Sequence, residues 1–198
     1  MAGYMKETQR CAWPGADSQY LAYHDTEWGV PEYDGRALYE KLMLDGFQAG
    51  LSWITILRKR DNFRKAFHGF DPQRIARYGT RDIDRLLRND GIVRSRAKIE
   101  AAIRGARLWL EIEEEPGGFR DFIWKHVQGK PVINRFKTRD QIPVQSKMSE
   151  DLARDLKQRG FNFCGPVISY AFAQAVGMVN DHVTSCFRHA ECTRLGKH

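Results

Sequence analysis

Apolar residues recur at helical spacing along most of the chain. Leu38 and Leu42 lie one turn apart after Asp34, and Ser52 to Phe67 continues the pattern, broken only at Gly50. Asp71-Pro72 reads as a helix start, because Asp can cap and Pro fits the first turn. Thr80 similarly precedes Ile83, Leu86 and Leu87. Ile99, Ile103, Ala106 and Leu110 follow the stripe of one buried helix face. That helix ends at Glu113-Glu114-Glu115-Pro116-Gly117-Gly118, where Pro and two Gly cannot continue it. Leu152 with Leu156, and Ile168 with Phe172 and Ala175, mark two more helices. No convincing alternating strand pattern is visible. Val127 to Lys147 is the least helical stretch, with Gly129, Pro131 and Pro143 between short apolar pieces; it is long for a plain loop and is either functional or home to short structure. The pattern predicts one all-α domain of about eight short helices.

Composition changes this picture little. The 198 residues are 42% hydrophobic and 12% aromatic, which suits one domain with a core of its own. The net charge of +7 favours a polyanionic partner, although a solubilising surface is the plainer reading. The opening MAGYMKETQR is too polar for a signal peptide, and no window approaches a membrane span, so a soluble, cytoplasmic protein with no membrane partner is expected. The 4 cysteines are too few for a disulfide scaffold, which leaves metal binding or burial.

Four groups of residues can carry chemistry. His182 and Cys186 stand four apart; on a helix they would share a face and could bridge one metal ion, with Cys11 and His24 completing a Cys₂His₂ set that ties the ends of the chain together. Packing on a helix face explains the same spacing. Phe161-Asn162-Phe163-Cys164-Gly165-Pro166 is a tight turn opening a helix, either an ordinary connection or a helix-hairpin-helix whose free N–H groups face a phosphate. Trp13, Tyr20, Tyr23, Glu27, Trp28, Asp45 and Trp53 are dense enough to form a stacking pocket for a base, or else the edge of the core. Arg58, Lys59, Arg60, Arg64 and Lys65 read as a solvated helix face before a phosphate patch.

Several long strings give the chain a resemblance. These are Arg10-Cys11-Ala12-Trp13, Tyr20 to Pro31 (YLAYHDTEWGVP), Gln48 to Ile54 (QAGLSWI), Asp90 to Arg94 (DGIVR), Arg159 to Gly165 (RGFNFCG) and Val179 to Val183 (VNDHV). Together they span Arg10 to Cys186 and resemble the DNA-3-methyladenine glycosylase I family, within the helix-hairpin-helix DNA glycosylase superfamily. The resemblance implies a helix-hairpin-helix glycosylase fold with zinc-tethered termini. Residues 1–198 would form a single glycosylase unit, with 1–10 a flexible N-terminal extension, 11–187 the helical core and 188–198 a tail.

It implies a monofunctional enzyme that hydrolyses the N-glycosidic bond of 3-methyladenine in alkylated double-stranded DNA, as a monomer and without a nucleotide cofactor. One structural zinc would be held by Cys11, His24, His182 and Cys186. The base would be flipped into a pocket of Trp13, Tyr20, Tyr23, Asp45 and Trp53, with Asp45 and Tyr23 the catalytic candidates. Leu51 would enter the gap in the duplex and the hairpin at Gly165 would grip a phosphate. The family usually has Glu where this chain has Asp45, one methylene shorter. Asn180 stands where related enzymes carry a catalytic acid, which counts against Asp181 in that role. The competing reading is a non-catalytic, zinc-stapled DNA-binding or damage-sensing module.

Overall fold

The computed structural model describes residues 9–196. Residues 1–8, most of the expected extension, and 197–198 lie outside the described residues. Ten α-helices are present among those described: α1 (Ser18–Thr26), α2 (Gly35–Gln48), α3 (Trp53–Ala66), α4 (Pro72–Ile75), α5 (Thr80–Leu87), α6 (Arg96–Glu113), α7 (Gly118–Trp124), α8 (Lys147–Arg159), α9 (Pro166–Ala175) and α10 (Phe187–Leu195). Their starts follow the expected local chemistry. Asp34 accepts from the Ala37 N–H, and Asp71 accepts from Gln73 and Arg74 with Pro72 in the first turn.

Helix α2 is the axis of the fold, packed against α3, α6, α7 and α9. It buries Leu38, Tyr39, Leu42 and Phe47 against Phe63 of α3 and Phe67 just after it, Ile99 and Ile103 of α6, and Phe172 of α9. The expected α6 stripe is buried at Ile99, Ile103 and Ala106 and half-buried at Leu110. Three helices offer little apolar spacing to read. In α1 the apolar residues Tyr20 to Tyr23 run consecutively, α7 is short and buries Phe119, Phe122, Ile123 and Trp124, and α10 is mostly polar. The last of these lies in the segment read as a tail, yet its Arg188 and Cys192 are buried.

The long stretch before α8 holds a short strand, β1 (Val132–Ile133), which pairs in parallel with β2 (Val179–Asn180) after α9. Val132 lies opposite Val179 and Ile133 opposite Asn180. Two residues cannot display an alternating pattern, so the strands are invisible in sequence. The pairing ties this stretch to the segment after α9, and further along it Arg139, Ile142, Pro143 and Val144 line a cavity together with residues of α9.

Candidate active site and metal cluster

A second apolar cluster, apart from the main core, gathers Cys11, Tyr23, Trp28, Leu57, Ala175, Val183 and Cys186, with Trp13, Tyr20 and Trp53 packed on it. It forms one wall of a cavity of about 470 Å³. Trp13, Tyr20, Tyr23, Trp28, Asp45 and Trp53 all line this cavity. The rings meet at angles: Trp13 and Tyr20 lie 4.7 Å apart edge to face, and Tyr23 lies 5.5 Å from Trp53. Glu27 is the member of the aromatic-acidic set that does not join. It pairs with Arg60 (Nη2 to Oε1, 2.8 Å) and lines a neighbouring groove instead.

Asp45 is buried, and burial raises its pKa against the pull of Lys41, its ion-pair partner one turn earlier on α2. Its second oxygen, Oδ2, is buried with no hydrogen-bond partner, and so are the indole N–H groups of Trp13 and Trp53. Among the described residues, half of the six buried side-chain polar atoms left unpaired thus belong to residues of this one cavity, where an unpaired group is expensive unless a ligand completes it. Burial and the nearby Asp45 push the Tyr23 hydroxyl well above the ordinary tyrosine range, so it remains a neutral phenol.

Residues outside the expected set complete the walls. Lys41 and Gln48 come from α2, Arg139, Ile142, Pro143 and Val144 from the loop before α8, and Tyr170 and Gln174 from α9. The last two are fixed from behind by Asp181, which accepts from Tyr170 (2.7 Å), Gln174 (2.8 Å) and Asn134 (2.6 Å). A carboxylate buried and engaged in this way positions a wall and is poorly placed to activate water. Asn180 likewise donates to His189 O and Thr193 Oγ1 and faces away from chemistry.

Beside the cavity, Cys11, His24, His182 and Cys186 converge, all four buried and their ligand atoms within 4.8 Å of one another. His182 and Cys186 do not share a helix face; both lie in the turn between β2 and α10. Cys186 Sγ is 3.6 Å from His24 Nε2 and 3.6 Å from His182 Nδ1, and Cys11 Sγ is also 3.6 Å from His182 Nδ1. A tetrahedron with metal–S near 2.3 Å and metal–N near 2.05 Å has an S···N edge of about 3.6 Å. The outer nitrogens are held as metal-bound imidazoles usually are: His24 Nδ1 on Asp25 (2.8 Å) and His182 Nε2 on the Trp28 carbonyl (2.9 Å). Hydrogen bonds from Cys11 and the two imidazoles hold the Cys186 thiol far below its usual range, while Cys11 is pushed up. The donor set, its spacing and its outer partners fit a metal ion.

The two expected DNA-contact elements adjoin the cavity. The turn between α2 and α3 carries Gly50 at φ +82°, a left-handed backbone that favours glycine, and next to it Leu51, 44% exposed. Gln48 and Trp53, on either side of this turn, line the cavity. The α8–α9 hairpin ends at Gly165, the N-cap of α9, where an added Cβ would meet nothing within 4 Å. Its Phe163 packs against Gly46, the neighbour of Asp45. The basic residues of α3 are largely engaged within the molecule: Arg58 with Asp17, Arg60 with Glu27, Arg64 with Glu40 and Lys59 with the Asp90 carbonyl. That favours the solvated-face reading over a phosphate patch.

Comparison with known proteins places this geometry. Residues 13–189 match the family model described as methyladenine glycosylase. The chain is 46% identical over 179 residues to the DNA-3-methyladenine glycosylase of Haemophilus influenzae, covering 90% of this chain and 97% of that protein. It is 47% identical over 178 residues to DNA-3-methyladenine glycosylase 1 of Escherichia coli, covering 90% and 95%. Among solved structures, a crystal structure of 3-methyladenine DNA glycosylase I superposes with a TM-score of 0.89 at 53% identity, covering 90% of this chain and 98% of that one. A tyrosine-to-phenylalanine variant of a 3-methyladenine DNA glycosylase I, in complex with 3-methyladenine, superposes with a TM-score of 0.87 at 39% identity, covering 90% and 96%.

Proposed function

The chain belongs to the methyladenine glycosylase family, and from that membership we infer that it is a DNA repair enzyme hydrolysing the N-glycosidic bond of 3-methyladenine in alkylated DNA. The observation that carries the reading to this chain is the cavity itself: it has aromatic walls, a buried carboxylate with one free oxygen, and two unpaired indole N–H groups. Such a pocket offers stacking faces and hydrogen-bond partners to a flipped base. Asp45 Oδ2 accepts from the exocyclic amine, Trp13, Tyr20 and Trp53 contact the ring, and Tyr23 holds the base against Trp53. The lesion is cationic while attached to the sugar, so the base is already a good leaving group. The protein's work is to extrude it, hold it and admit water to C1′.

The substrate is double-stranded DNA, read by a monomer. Leu51 fills the gap left by the flipped base, and the free N–H groups opening α9 at Gly165 bind a backbone phosphate. Cys11, His24, His182 and Cys186 would hold one zinc ion, and with four protein ligands its contribution would be structural. It would join the segment before α1 to the turn before α10.

The direct test is incubation with methylated duplex DNA and chromatography of what is released. The expected product is free 3-methyladenine with the strand left intact. Tight binding to methylated DNA with no base released would favour the non-catalytic sensor.

A further inference from the structure

Lys41 reaches the base cavity from one turn before Asp45. Its ammonium pairs with Asp45 Oδ1 and stands 3.9 Å from the centroid of the Trp53 ring. An ammonium carries three N–H donors, and the Asp45 contact uses one. The other carboxylate oxygen, Oδ2, is buried and unpaired. The two side chains, both among the residues that line the cavity, therefore set a donor and an acceptor side by side.

That arrangement matches one edge of adenine. The exocyclic amine donates, and the ring nitrogen beside it accepts; guanine offers two acceptors, O6 and N7, on the corresponding edge. A carboxylate oxygen facing O6 would be repelled. We propose that Lys41 is a specificity-determining residue, donating to the ring nitrogen beside the amine while Asp45 Oδ2 accepts from the amine. The proposal rests on the glycosylase reading above and names how its pocket tells adenine from guanine. The ion pair also explains why hydrogen bonding carries the choice. Lys41 and Asp45 are neutral as a unit, so the carboxylate's attraction for a cationic base is already compensated by its neighbour. Burial works against the Lys41 charge and Asp45 sustains it, which keeps the donor in place.

The test uses the zinc-loaded protein and three free bases: 3-methyladenine and its 1-deaza and 7-deaza analogues, each lacking one of the two ring nitrogens beside the amine. Binding is followed by quenching of tryptophan fluorescence for wild type, Lys41→Met and Lys41→Gln. Wild type should bind one analogue about 10-fold more weakly than 3-methyladenine, the scale of one hydrogen bond to a charged donor. Lys41→Met should bind that analogue and 3-methyladenine equally. Lys41→Gln, which keeps an N–H without the charge, should show a reduced penalty, and it carries the test if Lys41→Met does not fold. An unchanged penalty in either variant, or no penalty in wild type, overturns the assignment. Release of 3-methyladenine from methylated DNA, measured on the same wild-type protein, reports separately on the glycosylase reading. Release without an analogue penalty removes the Lys41 role alone.

Discussion

At the scale of single residues, Asp45 matters most. Sequence reading finds it as the position where the family usually has Glu, and the structure puts it on the cavity wall with one oxygen free. The i, i+4 spacing places Lys41 beside Asp45 on a helix, but one lysine among the 32 Lys and Arg of a basic chain carries no signal of its own. Tyr170 and Gln174 carried no signal, because Asp181 fixes them through contacts between separate elements. The Lys41–Asp45 pair is held at a cost to stability, as buried ion pairs usually are. Replacing both, as Lys41→Met with Asp45→Leu, should raise unfolding stability by about 1–4 kcal/mol in denaturant titration while abolishing excision. A double variant less stable than wild type would show the pair to be structural.

At the scale of elements, helices with regular apolar spacing or a marked start such as Asp71-Pro72 were legible and the others were not. The stripes on α2, α6, α8 and α9 gave those helices and the hairpin. The seven-residue α7, with Arg120 and Asp121 exposed between its buried residues, and the polar α10 gave too little period to read. The loop before α8 contributes four cavity residues, and it follows β1, whose pairing with β2 joins residues some 47 positions apart (Val132 with Val179). The turn between α2 and α3 yields a separable prediction. Leu51 is exposed and touches little, so Leu51→Ala should leave stability within about 0.5 kcal/mol of wild type. Losing the wedge should nevertheless lower excision from duplex DNA by about 10-fold or more, because the flipped state then lacks its filler. Equal loss on single-stranded and duplex substrates would count against the wedge.

At the scale of the whole molecule, the metal cluster and the surface charge matter most. The four clustered side chains come from the chain before α1, from α1 and from the turn before α10, so an ion held there would tie both ends of the fold beside the cavity. The sequence offered the residues but gave the wrong geometry for one pair, since His182 and Cys186 meet in a turn and not on a helix. Metal analysis should find about one zinc per chain. His182→Ala should cost at least about 3 kcal/mol, or roughly 6–12 °C in melting temperature. A metal-free protein of unchanged melting temperature would remove the structural role. The net charge of +7 predicts DNA affinity that falls at least about tenfold between 50 and 200 mM salt, with little sequence preference.

The central claim is that this cavity excises 3-methyladenine by reading it with Asp45. Single-turnover release of 3-methyladenine from methylated duplex DNA, by wild type, Asp45→Asn and Asp45→Glu, tests it most directly. Asp45→Asn keeps the size and removes the charge, and should slow release by about 1.5–3 kcal/mol, or roughly 10- to 150-fold. Asp45→Glu restores the family's usual reach and should maintain or raise the rate. Release by Asp45→Asn at the wild-type rate would contradict the account, and an inactive wild type that gains activity with Asp45→Glu would make the protein a sensor.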